Sequence, residues 1–165
     1  MKRFKWSDKL KVDIKELDEH HETILEHLNN IFDTAEAKNL SEVMIRTNCL
    51  IDYWKVHFKY EEELMRHHKY HEDDKHKSDH EDIRSKLSNI KEMHVTGSTD
   101  QIPSIVALLN FWEEGHIKSD DMQLGRFLKK IGSKLENSKQ YLSSNLTTLH
   151  FKIPNKKRVT EGLCL

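Results

Sequence analysis

Residue types that usually mark a particular structural class are scarce in this chain of 165 residues. Its two cysteines, Cys49 and Cys164, form neither a disulfide framework nor a CxxC metal motif, and they suit a reducing compartment. Glycine occurs five times and proline twice, and aromatic residues make up 8 % of the chain. This composition fits helices that are joined by short connections.

Long apolar runs and an excess of one charge are also missing. No apolar run is long enough for a transmembrane helix, and the basic N-terminal stretch MKRFKWSDKL lacks the apolar region of a signal peptide. The formal net charge of −1 gives no general attraction to nucleic acid or to an anionic membrane. We therefore predict a cytoplasmic protein that has neither a nucleic acid nor a membrane as its partner.

Apolar residues recur at helical spacing in four segments of the chain. These predicted helices cover about residues 18–38, a segment from Ser41 to near Lys69, about residues 72–93, and a segment from Pro103 to about Ile131. The connections between them are short, which favours antiparallel neighbours. The sequence therefore predicts an all-α, up-down-up-down four-helix bundle, with residues 1–17 as an N-terminal arm.

The end of the chain gives a weaker pattern. After Gly132, one more short helix is compatible with SKLENSKQYL, but Pro154 and the basic residues 156–158 argue against a continuing helix. We predict a bundle domain over residues 1–132 and a C-terminal extension over residues 133–165.

Histidine is abundant, with 12 copies, and it interrupts the apolar face of every predicted helix. A buried polar group without a partner costs roughly 1–3 kcal/mol, so several such groups in one core need a common partner. Two of the pairs have i, i+4 spacing, which places both members on one helix face. A metal ion at the centre of the bundle would satisfy them all. The residues concerned are His21, His57, Glu61, His76, His80 and His116.

Asp121 fits this pattern less well, because it follows His116 by five residues. In an ideal α-helix this spacing corresponds to a rotation of about 140°. The carboxylate would have to lean inward, or a π-bulge would have to turn it toward the core. Spacing alone does not favour Asp121 over Asp120.

Four motifs together resemble those of the hemerythrin family in its single-domain bacterial form. They are LDEHH at 17–21, HFKYEEELM at 57–65, HKSDH at 76–80 and HIKSDD at 116–121, within a resemblance that covers about residues 4–131. The resemblance implies a non-haem di-iron centre. One iron would be held by three histidines and the other by two, with two carboxylates and an oxo or hydroxo group as bridges. These ligands are His76, His80 and His116 for the first iron, His21 and His57 for the second, and Glu61 and Asp121 as the bridging carboxylates.

By the same resemblance, the second iron keeps an open position at which O2 binds as a ligand. An apolar O2 pocket would be lined by Ile24, Phe58, Trp112 and Ile117. The expected function is reversible O2 binding, for storage, for transport and delivery to an O2-using enzyme, or for sensing, without enzymatic activity. The alternative is a di-iron enzyme that acts on O2, peroxide or nitric oxide.

Two details of the sequence bear on these alternatives. The ferritin-like di-iron pattern needs Glu-x-x-His on two helices, and EEGH at 113–116 is its only match here. The acidic pair in that motif, Glu113 and Glu114, would either loosen the edge of the O2 pocket or face water.

Several other polar residues are predicted to have no metal-binding role. Glu62 and Glu63 are expected to face solvent on the second helix, and His20 and His27 fall off the apolar face of the first. Asp13 occupies a position at which relatives of this family often have glycine.

Overall fold

The computed structural model describes residues 3–95 and 102–137 of the chain. Its helices form a four-helix bundle, which confirms the predicted all-α fold. The first three helices are α1 (Lys15–Glu36), α2 (Leu40–His68) and α3 (Asp73–Val95). The fourth runs through α4 (Ile102–Asn110), a π-helical segment (Phe111–Asp121) and α5 (Met122–Asn137). A short 3₁₀ turn, Asp8–Leu10, lies in the N-terminal arm.

The observed boundaries of the helices follow local capping chemistry. The N-cap of α2 is Asn39, whose side-chain oxygen accepts a hydrogen bond from the Glu42 amide at 3.2 Å, and the helix begins one residue before Ser41. Helix α2 ends at His68. The next residue, Lys69, caps it with a left-handed φ of 52°, and the Tyr70 amide donates to the Met65 carbonyl at 2.9 Å. At the other end of the bundle, α5 continues past Gly132 to Asn137. The rest of the predicted C-terminal extension lies outside the described residues.

The core is formed by the apolar faces of all four helices. On α1, the predicted face is fully buried at Leu17, Ile24, Leu28 and Ile31. The two largest buried side chains are Trp54 of α2 and Trp112 of the π segment, whose rings meet edge to face with centroids 5.7 Å apart. This aromatic contact joins the second helix to the fourth beside the centre of the bundle.

Two observations concern the chemistry expected from composition. Cys49 is buried on α2 and is disulfide-bonded, so the interpretation of this residue as a reduced thiol is wrong. Cys164 lies outside the described residues. In the part of the chain that the structure describes, no helix combines the length and the apolar character needed to span a membrane.

The N-terminal arm is held against the bundle by backbone contacts. The Val12 amide donates to the Asp18 carboxylate at 2.8 Å, which ties the arm to the first turn of α1. The next residue, Asp13, has a φ of 61°, a conformation that explains why glycine suits this position. Close to this bend, the arm passes α5 at Gly125, where an added Cβ would meet the Val12 carbonyl oxygen and would lie 3.2 Å from its carbonyl carbon.

His27 is buried although it lies off the predicted apolar face. Its ring packs against Tyr53 with centroids 5.3 Å apart, and only 6 % of the residue is exposed. Burial lowers the pKa of His27 to about 4, and the positive charge of Arg46 acts in the same direction. The histidine is therefore neutral in the folded protein at neutral pH.

We expect Gly125→Ala to destabilise the protein by about 1–3 kcal/mol, because the methyl group collides with backbone that has no room to move. The matched control is Gly132→Ala on the same helix, where an added Cβ meets no described atom within 4 Å. That variant should be unchanged or more stable by up to about 1 kcal/mol, since alanine favours helix. Urea denaturation of the wild type and both variants measures the free energy of unfolding. Equal stabilities would contradict the close approach of the arm.

We expect the protein to lose stability as the pH falls from 6.5 toward 4. In this range His27 takes up a proton in the unfolded protein but stays neutral in the folded one. In His27→Phe this contribution is absent. The unfolding free energy of the wild type relative to that of the variant should therefore drop by about 2–3 kcal/mol between pH 7 and pH 4.5. Both proteins share every other titrating group, so parallel pH profiles in urea denaturation would contradict the assignment.

Candidate metal centre

The structure brings the seven predicted ligand residues together at the centre of the bundle. Helix α1 contributes one of them, α2 and α3 contribute two each, and the π segment contributes the last two. Each is at most 1 % exposed. In chain order they are His21, His57, Glu61, His76, His80, His116 and Asp121.

These residues form two overlapping groups, and within each group the candidate ligand atoms all lie within 4.8 Å of one another. The first group contains Glu61, His76, His80 and His116. The second group contains His21, His57, Glu61 and Asp121.

The two carboxylates connect the groups. Oε2 of Glu61 lies 3.1 Å from Nε2 of His80 on one side and 3.7 Å from Nε2 of His57 on the other. Oδ2 of Asp121 lies 3.2 Å from Nε2 of His21, and its Oδ1 lies 3.1 Å from Nε2 of His76. Each carboxylate thus reaches imidazoles of both groups, as a bridging ligand must.

The π-helical segment accounts for the inward position of Asp121. Its hydrogen bonds join residues five apart, and the Met122 amide at its end donates to the Ile117 carbonyl. Residues five apart therefore come close to alignment, so that His116 and Asp121 share the core-facing side. Of the two alternatives for Asp121, an inward lean or a π-bulge, the structure has the second, over a segment of 11 residues.

Asp120 has a different environment from its neighbour. Its carboxylate forms an ion pair with Lys75 and accepts a hydrogen bond from the Ser119 hydroxyl at 2.6 Å. Burial raises the pKa of Asp120, but the hydrogen bonds from Lys75 and Ser119 outweigh it and lower that pKa. Asp120 also lies within 4.8 Å of ligand atoms of Asp79 and His116, but Lys75 already balances its charge.

Unpartnered polar atoms test whether the site fits metal ions. Most of the inward nitrogen and oxygen atoms are buried and face one another at 3.1–4.0 Å without hydrogen-bond geometry. Such groups are costly in a protein interior unless something satisfies them. Imidazole and carboxylate are suitable ligands for iron, and a shared cation would satisfy these atoms together. The atoms without partners are Nε2 of His21, His57, His76 and His116, Oε1 of Glu61, and both carboxylate oxygens of Asp121.

The electrostatics of the centre lead to the same conclusion. Burial and the negative charge of Asp121 both raise the pKa of Glu61, but the surrounding histidines outweigh them and hold it well below its usual range. Burial lowers the pKa of His76, yet its contacts with Asp121 and Glu61 raise that pKa to about 10. The carboxylates of Glu61 and Asp121 therefore stay ionised, and positive charge must balance them. Protons supply that charge in the absence of a metal.

Glu62 corrects the sequence-based expectation that it faces solvent. It is half-buried, and its Oε1 lies 2.9 Å from Nδ1 of His80 and 2.7 Å from the Arg84 guanidinium. The hydrogen bond from His80 lowers the pKa of Glu62 to about 2; burial opposes this shift and Arg84 adds to it. Arg84 follows His80 by four residues, on the same face of α3, but this spacing does not identify the acid of another helix that both of them meet.

The four predicted pocket residues are all fully buried, at Ile24, Phe58, Trp112 and Ile117. Trp112 meets His21 edge to face with centroids 5.4 Å apart, and Phe58 stacks on His80 at 4.2 Å. Trp112 and Phe58 thus contact two of the candidate ligand histidines, Ile24 and Ile117 lie in the buried core, and the role of all four toward O2 stays a prediction.

Glu113 and Glu114 lie outside this apolar wall. Both approach Lys118, Glu113 at 3.9 Å, and the Glu114 side chain is 66 % exposed. Of the two alternatives for this acidic pair, the structure supports the one in which it faces away from the pocket.

The family model described as "Hemerythrin HHE cation binding domain" matches residues 12–128. The chain belongs to the hemerythrin family.

Individual relatives agree with this membership. A bacteriohemerythrin of Pseudomonas aeruginosa is 30 % identical over 116 residues, covering 70 % of this chain and 75 % of the relative. A bacteriohemerythrin of Methylococcus capsulatus is 29 % identical over 108 residues, with coverages of 66 % and 82 %. Among solved structures, a hemerythrin mutant superimposes with a TM-score of 0.69 at 26 % identity, covering 76 % of this chain and 97 % of the mutant.

We expect Glu61→Ala to abolish binding of a metal pair in this hemerythrin-family chain, because Glu61 is the residue common to both groups. Iron per chain should fall from two to below one, measured by elemental analysis after reconstitution. The control is Glu63→Ala, which removes an acid on the same helix for which no hydrogen bond or ion pair is found among the described residues. If Glu61→Ala keeps two irons, the bridging role is wrong.

Proposed function

We propose that this chain binds O2 reversibly at a non-haem di-iron centre. The observation that carries the proposal is the pair of buried ligand groups that share Glu61. Membership of the hemerythrin family supports it independently. In this proposal His76, His80 and His116 hold one iron, and His21 and His57 hold the other.

The unequal number of histidines gives the proposed centre its chemistry. With Glu61 and Asp121 common to both ions, the ion held by two histidines would have one protein ligand fewer than its neighbour. That ion would keep a coordination position for an external ligand. A di-iron centre supplies reversible O2 binding when it is loaded in this way.

The surrounding side chains would protect this position. Trp112 lies edge-on to His21, Phe58 stacks on His80, and Ile24 and Ile117 are fully buried in the same core. Walls that are almost entirely apolar keep water and anions away, and their exclusion favours release of unchanged O2. The Nε1 group of Trp112 is buried without a hydrogen-bond partner, and its N–H is the one polar donor on this wall.

The physiological role follows from this chemistry in general terms. Storage of O2, its delivery to an O2-using enzyme, and O2 sensing all use the same reversible binding. A protein with this function is not an enzyme. Its cytoplasmic location is part of the same proposal.

A di-iron enzyme that acts on O2, peroxide or nitric oxide is the competing function. One ferritin-like motif, EEGH at 113–116, would favour the enzyme if its first acid, Glu113, were a ligand. Glu113 instead faces Lys118 on the outside of the fourth helix, and it belongs to neither ligand group. The geometry therefore favours the carrier over this kind of enzyme.

The test is a cycle of O2 exposure on protein that contains two irons per chain. The protein is reduced without oxygen, exposed to O2 and then purged with inert gas while its optical spectrum is recorded. We expect the oxygenated spectrum to appear and then to return fully to the reduced one over several cycles. Sustained O2 consumption with a reductant, or failure to regain the reduced spectrum, would contradict reversible binding and favour the enzyme.

A further inference from the structure

One of the five histidines at the centre differs from the others in what its second ring nitrogen contacts. Nδ1 of His80 lies 2.9 Å from Oε1 of Glu62. In the described part of the chain, Nδ1 of each of the other four is buried without a hydrogen-bond partner; these are His21, His57, His76 and His116. Of the five rings, His80 is thus the one that has a hydrogen-bond contact at both nitrogens, with Glu62 at Nδ1 and Glu61 at Nε2.

Glu62 is itself held in place by Arg84. The guanidinium donates to Oε1 of Glu62 at 2.7 Å, and it also reaches Glu81 from the same helix. An arginine that is fixed in this way presents its planar donors to a carboxylate with little freedom left. The carboxylate of Glu62 is consequently held in a position directed at His80.

Phe58 completes a closed set of contacts around the His80 ring. It stacks on His80 with centroids 4.2 Å apart and an interplanar angle of 22°. The Arg84 guanidinium lies over the Phe58 ring, 5.2 Å from its centroid. Stacking fixes the plane of the imidazole, and the hydrogen bond to Glu62 fixes its rotation within that plane.

We propose that Glu62, supported by Arg84, is a positioning residue of the metal centre that accepts the Nδ1–H of His80. A neutral imidazole has one donor nitrogen and one acceptor nitrogen, so a proton held at Nδ1 leaves the lone pair at Nε2. Nε2 of His80 is the atom that faces Glu61, at 3.1 Å. An anionic acceptor behind the ring also makes the imidazole a more basic ligand.

This inference rests on the proposed iron centre, and it predicts an asymmetry within that centre. The carboxylate of Glu62 supports a histidine of the group that contains His76, His80 and His116. Loss of Glu62 should therefore weaken the hold on that ion first. Outer partners of ligating histidines commonly contribute about 10–100-fold to metal affinity.

The experiment compares iron loss from loaded proteins under challenge by an excess of a chelator. We expect Glu62→Ala to release iron about 10–100-fold faster than the wild type. Glu62→Gln, which keeps an oxygen acceptor but loses the charge, should lie between the two. Glu63→Ala is the matched control and should release iron at the wild-type rate.

Two further readouts separate positioning from general stability. The visible spectrum of the iron-loaded protein should shift in Glu62→Ala and recover in part in Glu62→Gln. Metal-free forms of all variants should unfold at similar temperatures. Adding Arg84→Ala to Glu62→Ala should not accelerate iron loss further, because Arg84 acts through Glu62.

The outcomes distinguish this inference from the proposed function. A wild type that cannot hold two irons would overturn both. A wild type with two irons, beside a Glu62→Ala variant with an unchanged release rate and spectrum, would overturn the role of Glu62 alone.

Discussion

The bundle is organised around two ionised carboxylates, Glu61 and Asp121, in a core from which water is excluded. A charge in such a place is tolerated only when opposite charges or strong donors surround it. Imidazole nitrogens from all four helical segments of the bundle supply them, at 3.1–4.0 Å. Every helix must therefore place a particular side chain at the centre of the bundle. This requirement sets the rotation of each helix about its axis and its position along that axis.

The fourth helix meets this requirement because part of it is π-helical instead of α-helical. Its π segment places residues five apart on the same side, which brings both His116 and Asp121 to the centre. The same change aligns Trp112 with Ile117, and both are fully buried. One change in backbone hydrogen bonding thus provides a carboxylate ligand together with part of the apolar wall. Departures of this kind are rare in helices and are found frequently at functional sites.

Helical periodicity predicts features that repeat along one element, and it fails for contacts between elements. It identifies His57 and Glu61 because they continue the apolar face of α2. It assigns Glu62 to solvent because that residue lies one position away, and only the packing of α3 brings His80 and Arg84 beside it. The preference for Asp121 over Asp120 likewise depends on the backbone geometry of the π segment, which residue spacing does not determine.

The surroundings of the centre differ between its two sides, and the difference bears on where a small ligand would bind. The ion pair of Glu62 with Arg84 adjoins the three-histidine group and supplies negative charge to it. On the other side, His21 meets Trp6 and Trp112, with ring centroids at 6.2 Å and 5.4 Å. Aromatic rings contact ligands on both sides, since Phe58 stacks on His80, but the carboxylate of Glu62 lies behind only the three-histidine group and favours firm retention of that group's ion. In the proposed centre, an apolar diatomic molecule would bind beside His21, where the ion would have one protein ligand fewer.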